Sequence, residues 1–136
     1  MSLHDLVRSG QLHRQPPTSE ELGRLLAAAE RSIADAALDG LSDEGSFDLA
    51  YKVLIQGALV ALRASGYRLA SNLPGHHRTL LQTLAANIGA DDVELRLLDT
   101  IRRRRNASDY SGRPVEHALA DECLLQAQRL MGRGSE

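Results

Sequence analysis

The stretch FDLAYKVLIQGALVALRA, residues 47–64, decides the fold. Its apolar residues recur every three or four positions, which is the periodicity of one buried face on an α-helix. Gly57 lies in the middle of that face, where the absence of a side chain lets a neighbouring helix approach closely. The stretch therefore predicts a central helix with a second helix packed tightly against it. Tyr51 is predicted to be a packing residue with a hydrogen-bonded hydroxyl.

The segment before the central helix carries the start signal of another helix. Thr18 is predicted to be the N-cap, and Glu21 three residues later completes a capping box. An apolar stripe then continues to about residue 37, and the helix is expected to end near Gly40. Residues 41–45 are predicted to be a polar connection.

Three more helices are predicted beyond the central one, over roughly 76–88, 92–110 and 114–131, after a loop over residues 67–75. Asp91 is the expected N-cap of the second, and Pro114 suits the first turn of the third. No segment alternates apolar and polar residues as a strand does. Short links between long amphipathic helices predict an all-α, up-and-down antiparallel bundle of four main helices plus short extra helices.

The chain is expected to contain one globular unit preceded by a short arm. Residues 1–17 are predicted to be an N-terminal arm, with a helical turn over residues 3–10 and an exposed link from 11 to 17. Residues 18–136 are predicted to be one helical-bundle domain, since 136 residues suit a single core.

Composition and charge exclude several classes of protein. The formal net charge of -2 gives no overall attraction to nucleic acid or membrane, so any anion binding must come from a local patch. No secretory signal is recognised and no apolar stretch is expected to reach the length of a bilayer, so we predict a cytoplasmic protein with no membrane partner. The near absence of lysine suggests a GC-rich bacterial genome. Without a Cys/His cluster or paired histidines at metal spacing, we expect no metal and no cofactor.

The fourth predicted helix changes character along one face. Leu97, Leu98 and Ile101 recur at helical spacing, and the same face then continues to Arg104 and Arg105. Burying polar groups is costly unless each has a partner. A face that turns from apolar to cationic therefore indicates a site or an interface.

A plainer interpretation of these arginines remains open. Arg102 and the three arginines that follow point in four directions on a helix, which is typical of a solvated, basic helix end. Asp99 is placed to pair with Arg102 or Arg103, and Asp109 with Arg105, by helix neighbour rules.

The residues 105–110, RNASDY, combine several phosphate-binding groups. Arg105 and Asp109 lie four residues apart, as do Asn106 and Tyr110, which gives two adjacent polar pairs. A guanidinium clamps phosphate oxygens with two hydrogen bonds, and an amide or phenol adds a further hydrogen bond.

This stretch resembles the Arg-x(4–6)-His motif of HEPN domains (higher eukaryotes and prokaryotes nucleotide-binding), in particular the branches in which Arg-Asn is followed by Asp-Tyr. The similarity extends over residues 18–131. The helix with Ala50-Tyr51 and Gln56, the entry to the next helix at residues 75–78, and the motif near the end of the fourth follow the order of that family.

The resemblance implies a helical bundle that forms a homodimer with the two motif helices around a composite cleft. Many HEPN domains are metal-independent RNA endonucleases, often toxins paired with a minimal nucleotidyltransferase, while others bind nucleotides or act as non-catalytic partners. It assigns catalytic positions to Arg105, Asn106 and Tyr110. Further ligand-binding positions are Arg102, Asp109 and His77.

Tyr110 departs from the motif because it stands where the histidine is expected. The ordinary pKa of tyrosine is near 10, whereas that of histidine is about 6.5, so tyrosine is the poorer base near neutral pH. His77 and His117 are the candidate substitutes. His76 precedes His77 directly, and a helix turns adjacent residues about 100° apart, which disfavours a shared metal ion.

Three functions stay open on the sequence. The first is binding of a nucleotide, RNA phosphate or a partner protein, such as a nucleotidyltransferase, through an Arg105/Asn106 cleft in a toxin–antitoxin-like system. The second is a metal-independent endoribonuclease with Tyr110 replacing the usual histidine. The third is a purely structural dimerisation module in which Arg105 and Asp109 pair to lock the dimer. Each leaves open whether the cleft lies within one chain or between two.

Overall fold

The fold is predominantly helical, as predicted, in a computed structural model that describes residues 2–70 and 76–134 except for the side chains of residues 108–110, 133 and 134. One small two-stranded sheet accompanies the helices. The elements in chain order are α1 (Leu3–Arg8), β1 (Leu12–Arg14), α2 (Ser19–Ala36), α3 (Asp43–Ala64), β2 (Tyr67–Leu69), α4 (His76–Gln82), α5 (Leu84–Ile88), α6 (Asp92–Ser111) and α7 (His117–Gly134).

Helix α3 is the centre of the bundle and packs chiefly on α2 and α7. A Cβ atom added to Gly57 would lie 2.8 Å from Leu130 Cδ2 of α7, so the predicted close approach at this glycine is confirmed. The helix begins four residues earlier than predicted. Ser42 is its N-cap, with Oγ accepting a hydrogen bond of 3.0 Å from the Gly45 amide, and residues 43–45 are therefore helical.

The apolar composition of α3 reflects its central position. By length and composition alone the helix could cross a membrane, with a mean hydropathy of 1.2 over an 18-residue window, so the expectation that no stretch reaches this length is wrong. Core helices of soluble proteins meet the same criterion, and 44% of that window is buried inside the bundle.

The short sheet was not predicted. β1 pairs with β2 in antiparallel register, Leu12 opposite Leu69 and Arg14 opposite Tyr67, within segments that we expected to be a link and a loop. Strands of three residues are too short for alternation to reveal them. The pairing is decided by residues more than 50 positions apart.

The N-terminal segment packs onto the bundle. The predicted helical turn is confirmed as α1, but the expected exposed link over residues 11–17 is wrong at Leu12, which is buried, while residues 13–16 are exposed as predicted. Leu6 and Leu12 are almost fully buried in the same core cluster as α3. Burial of these two apolar side chains stabilises the packing of the N-terminal segment against the bundle.

The predicted third helix is two helices. It breaks at Thr83, whose buried hydroxyl donates a hydrogen bond of 2.6 Å to the Leu80 carbonyl. Such a local bond competes with helix geometry. Leu80 and Leu84 on either side remain in the core, so both short helices keep the apolar face that the periodicity predicts.

Helix α6 begins as predicted and α7 begins later than predicted. The Asp91 carboxylate accepts a hydrogen bond of 2.8 Å from the Glu94 amide and caps α6. Pro114 was expected in the first turn of the last helix, but α7 starts at His117. The Pro114 carbonyl instead accepts a hydrogen bond of 2.9 Å from Arg104, which fixes the connection between the two helices.

Candidate functional site

The inner face of α6 changes from apolar to cationic at the place that the sequence indicates. Ile101 is fully buried, and the side chains of Arg104 and Arg105 are only 18% and 27% exposed. Arg104 Nε lies 3.5 Å from Glu116 Oε2, in addition to its bond to the α6–α7 connection. Arg104 therefore serves that connection, and Arg105 turns toward α3.

Arg105 forms an ion pair with a residue that the sequence did not single out. Its Nε lies 3.0 Å from Oδ1 of Asp48, on the first turns of α3. The only sequence signal for Asp48 is its position three residues before Tyr51, on the same side of that helix. Asn106, the next residue of the predicted motif, is exposed.

Asp99 holds the two arginines that precede the motif. Its Oδ1 lies 2.9 Å from Arg102 Nη2 and its Oδ2 lies 3.2 Å from Arg103 Nε, so the predicted pairing is confirmed for both. The side chain of Arg102 is 17% exposed and that of Arg103 is 65% exposed. Arg102 is thus the inner member of this group.

A partly buried hydrogen bond joins α3 to α4. The Tyr51 hydroxyl lies 3.0 Å from His77 Nδ1, which confirms that Tyr51 is a packing residue with a bonded hydroxyl. Burial raises the pKa of Tyr51 to about 12, so the phenol keeps its proton near neutral pH. The hydrogen bond is compatible with both tautomers of His77: if the phenol donates to Nδ1, then Nε2 carries the ring hydrogen, and if Nδ1 donates to the phenol oxygen, then Nε2 presents a lone pair.

The surroundings favour the neutral form of His77. Burial lowers its pKa below the ordinary histidine value, and the nearby charges of His76, Arg102 and Arg105 lower it further. The rings of His76 and His77 meet edge-on with centroids 4.4 Å apart. Over residues 2–70 and 76–134, apart from the undescribed side chains, no group of three His, Cys, Asp or Glu is placed to hold a metal ion.

These side chains form one cluster at the junction of three helices, here called the α3–α4–α6 cluster. The charges of both arginines act on the Tyr51 hydroxyl and on His77, so these groups are near enough to interact electrostatically. The cluster thus combines part-exposed guanidinium groups with a neutral imidazole. Its members are Asp48, Tyr51, His77, Arg102 and Arg105.

His117, the other candidate base, lies in a different environment. It is exposed at the start of α7, with Nδ1 2.7 Å from Asp43 Oδ1 and Nε2 3.1 Å from Asp121 Oδ2. The hydrogen bond that His117 donates to Asp43, together with the charge of both carboxylates, raises the pKa of His117. Both ring nitrogens face carboxylates, which leaves no lone pair for a substrate.

Two predicted site residues lie outside the described side chains. Asp109 and Tyr110 belong to the last turn of α6, for which the structure gives the backbone alone. Their roles therefore remain predictions.

Comparison with protein-family models, with curated proteins and with solved structures finds no match to this chain. The resemblance to HEPN domains rests on residues 105–110 and on the order of the helices, and it remains a prediction.

Proposed function

We propose that this chain binds phosphate groups of RNA or of a nucleotide through the α3–α4–α6 cluster. Arg102 and Arg105 are the phosphate-binding side chains, and exposed Asn106 adds a hydrogen bond at the edge. One observation carries the proposal: two part-exposed guanidinium groups, each paired with a part-exposed carboxylate, act by charge on a histidine that a buried tyrosine hydrogen-bonds.

The ion pairs within the cluster are of a kind that a phosphate can replace. Arg105 is paired with Asp48, whose side chain is 55% exposed, and Arg102 is paired with Asp99, whose side chain is 35% exposed. Pairs this open to solvent contribute only about 0–1 kcal/mol. Phosphate oxygens accept two parallel hydrogen bonds from one guanidinium and compete well with such a carboxylate.

The proposal is tested by binding of a short single-stranded RNA, measured by fluorescence anisotropy at low and at physiological salt. We expect Arg105→Ala and Arg102→Ala each to weaken binding about tenfold, the loss of one charged phosphate contact. The matched control is Arg31→Ala, which removes an exposed arginine from α2 and should change affinity less than about twofold. Undetectable binding by the unmodified protein at low salt, or equal affinity of Arg105→Ala, would contradict the proposal.

A second function, metal-independent endoribonuclease, is favoured by the lowered pKa of His77. A neutral imidazole beside two phosphate-binding groups suits general-base attack by a ribose 2′-hydroxyl. In this mechanism His77 does the work that the motif histidine does in HEPN nucleases, and Tyr110 need not act as a base.

Cleavage of labelled RNA in the presence of a chelator tests this second function. We expect His77→Ala to reduce the rate by about a hundredfold or more and His117→Ala to leave it unchanged. Absence of any cleavage, or cleavage that survives His77→Ala, would eliminate His77 as the base.

Homodimerisation and a nucleotidyltransferase-type partner in the cytoplasm are proposals that derive from the HEPN resemblance. The pair between Arg105 and Asp48 gives that arginine a partner within its own chain. We therefore expect Arg105→Ala to leave the mass in sedimentation equilibrium unchanged. A shift from dimer to monomer would instead favour the structural dimerisation module.

A further inference from the structure

A groove of about 430 Å³ lies between α4 and α6 and is here called the α4–α6 groove. Its volume falls within the range of roughly 300–1,000 Å³ that is typical of small-molecule sites. His77 and Arg102 belong to the α3–α4–α6 cluster, but the residues that follow them, Arg78 and Arg103, line this groove. The groove is thus a second candidate site on the same two helices, and Asp99, the ion-pair partner of Arg102, lines it as well.

The groove has an apolar base and cationic walls. Leu81 is buried and Leu95 is half-buried beneath it. Arg78 comes from α4 and Arg96 from α6, so the two guanidinium groups rise from different helices. An apolar base with cations at its edges suits a ligand that has an apolar body and a negative charge.

The charge of these two arginines is not neutralised by a neighbouring side chain. Within the described part of the chain, neither Arg78 nor Arg96 has an ion pair or a side-chain hydrogen bond, whereas Arg103 is paired with Asp99. Asp92, the other carboxylate at the groove, lies in the first turn of α6, where the helix dipole stabilises a negative charge. The walls therefore carry excess positive charge.

We infer that the α4–α6 groove binds a small organic anion with a flat, largely apolar body and a single carboxylate or phosphate group. The body lies over Leu81 and Leu95, and the oxyanion is held by Arg78 and Arg96. A guanidinium both clamps an oxyanion and stacks on a flat ring, which a lysine does not do. This site does not depend on phosphate binding at the α3–α4–α6 cluster.

Calorimetric titration with four probes tests the inference. The probes are 2-naphthoate, adenosine monophosphate, neutral adenosine and inorganic phosphate. We expect at least one of the two organic anions to bind about tenfold more tightly than adenosine and than inorganic phosphate. Only an organic anion contacts both the apolar floor of the groove and the arginines at its edges. Binding of 2-naphthoate alone assigns an aromatic carboxylate, and binding of the nucleotide alone assigns a phosphate ester.

Variants then locate the bound anion. Arg78→Ala and Arg96→Ala should each weaken the affinity for the anion about tenfold. Both side chains are exposed, so neither substitution should disrupt the fold. Arg31→Ala is the control for loss of an exposed arginine and should change the affinity of either organic anion by less than about twofold. Arg105→Ala is the control for the cluster and is applied to 2-naphthoate, which has no phosphate group; it should leave that affinity within about twofold.

The inference is overturned if no organic anion binds at millimolar concentration, or if binding survives the double variant Arg78→Ala/Arg96→Ala. It is also overturned if Arg105→Ala alone abolishes binding, since the anion would then lie on the α3–α4–α6 cluster. That last result would support the proposed function while removing this site, so the two failures are distinguishable.

Discussion

The two ends of α3 use arginine in opposite ways. At the C-terminal end, Arg63 is buried and 5% exposed, and its guanidinium holds Glu21 through bonds of 3.0 and 3.2 Å. It also donates to the backbone carbonyls of Gln15 and Tyr67, at 3.1 and 2.8 Å. At the N-terminal end, α3 offers Asp48 to Arg105, whose side chain keeps 27% of its surface in solvent.

The difference lies in how completely each guanidinium is used. Arg63 connects α3 to α2 and to the backbone beside both strands, so its donors are committed to the fold. Arg105 is paired with the half-exposed carboxylate of Asp48, and its side chain is 27% exposed. The first arrangement is buried and structural, and the second lies at the solvent-facing surface.

Stability measurements provide the strongest test of this contrast. We expect Arg63→Ala to lower the free energy of unfolding by about 2–4 kcal/mol, because it leaves two carbonyls and a carboxylate without their donor. Arg105→Ala should cost less than about 1 kcal/mol, as for other solvent-accessible pairs. Both values are measured by urea denaturation at neutral pH.

The variant Arg63→Lys sharpens the same test. A lysine keeps the charge but not the planar set of donors, so we expect a loss between those of the alanine variant and the unmodified protein. Equal losses for Arg63→Ala and Arg105→Ala would show that the two ends of α3 do not differ as described.

The sequence predicted what depends on near neighbours. The helix-capping roles of Thr18 and Asp91 follow from spacings of a few residues, and both are confirmed. The close approach at Gly57 was predicted from the missing side chain, and the identity of the helix that approaches there, α7, was not predicted. The role of Arg63 was missed because Glu21 lies 42 residues away along the chain. The strand pairing of Leu12 with Leu69 was missed for the same reason.

The candidate site was predicted in part. Arg102, Arg105 and His77 were named from the sequence; His77 is hydrogen-bonded to Tyr51, and the charges of the two arginines act on that pair. The pairing of Arg105 with Asp48 could not be foreseen, because it depends on the angle at which α6 crosses α3. Asn106 was named as well, and it is exposed.

The pH dependence of stability provides a smaller test at the N-terminal end of α3. Because the pKa of His77 is lower in the folded chain, the unfolded chain binds a proton more readily. Stability should therefore fall as the pH decreases from about 6.5, the ordinary histidine value, toward the folded pKa. Urea denaturation at several pH values should show this loss, and His77→Gln should reduce it.

An NMR titration separates the effect of the arginine charges on the pKa of His77 from the effect of burial. We expect Arg102→Ala and Arg105→Ala to raise the pKa of His77 in an NMR titration, and to leave it below the ordinary value because burial is the larger cause. A pKa that does not respond to either substitution would mean that these arginines lie too far from His77 to act on a shared ligand.

The smallest effect on stability is expected at His117, which is paired with Asp43 at the N-terminal end of α3. Its pKa is raised, whereas that of His77 is lowered. The carboxylates of Asp43 and Asp121 stabilise the charged form of His117. The stability that this interaction adds is therefore complete below about pH 6.5 and is lost as the pH rises through the pKa of His117 in the folded chain. The side chain is 72% exposed, so the change in unfolding should be slight, and the NMR titration is the better measurement. Asp43→Asn should lower the pKa of His117 and leave that of His77 unchanged. If the two histidines instead titrate together near the ordinary value, the contrast between a base held neutral chiefly by burial and an imidazolium stabilised by carboxylates is wrong, and so is the choice of His77 over His117 as the candidate base.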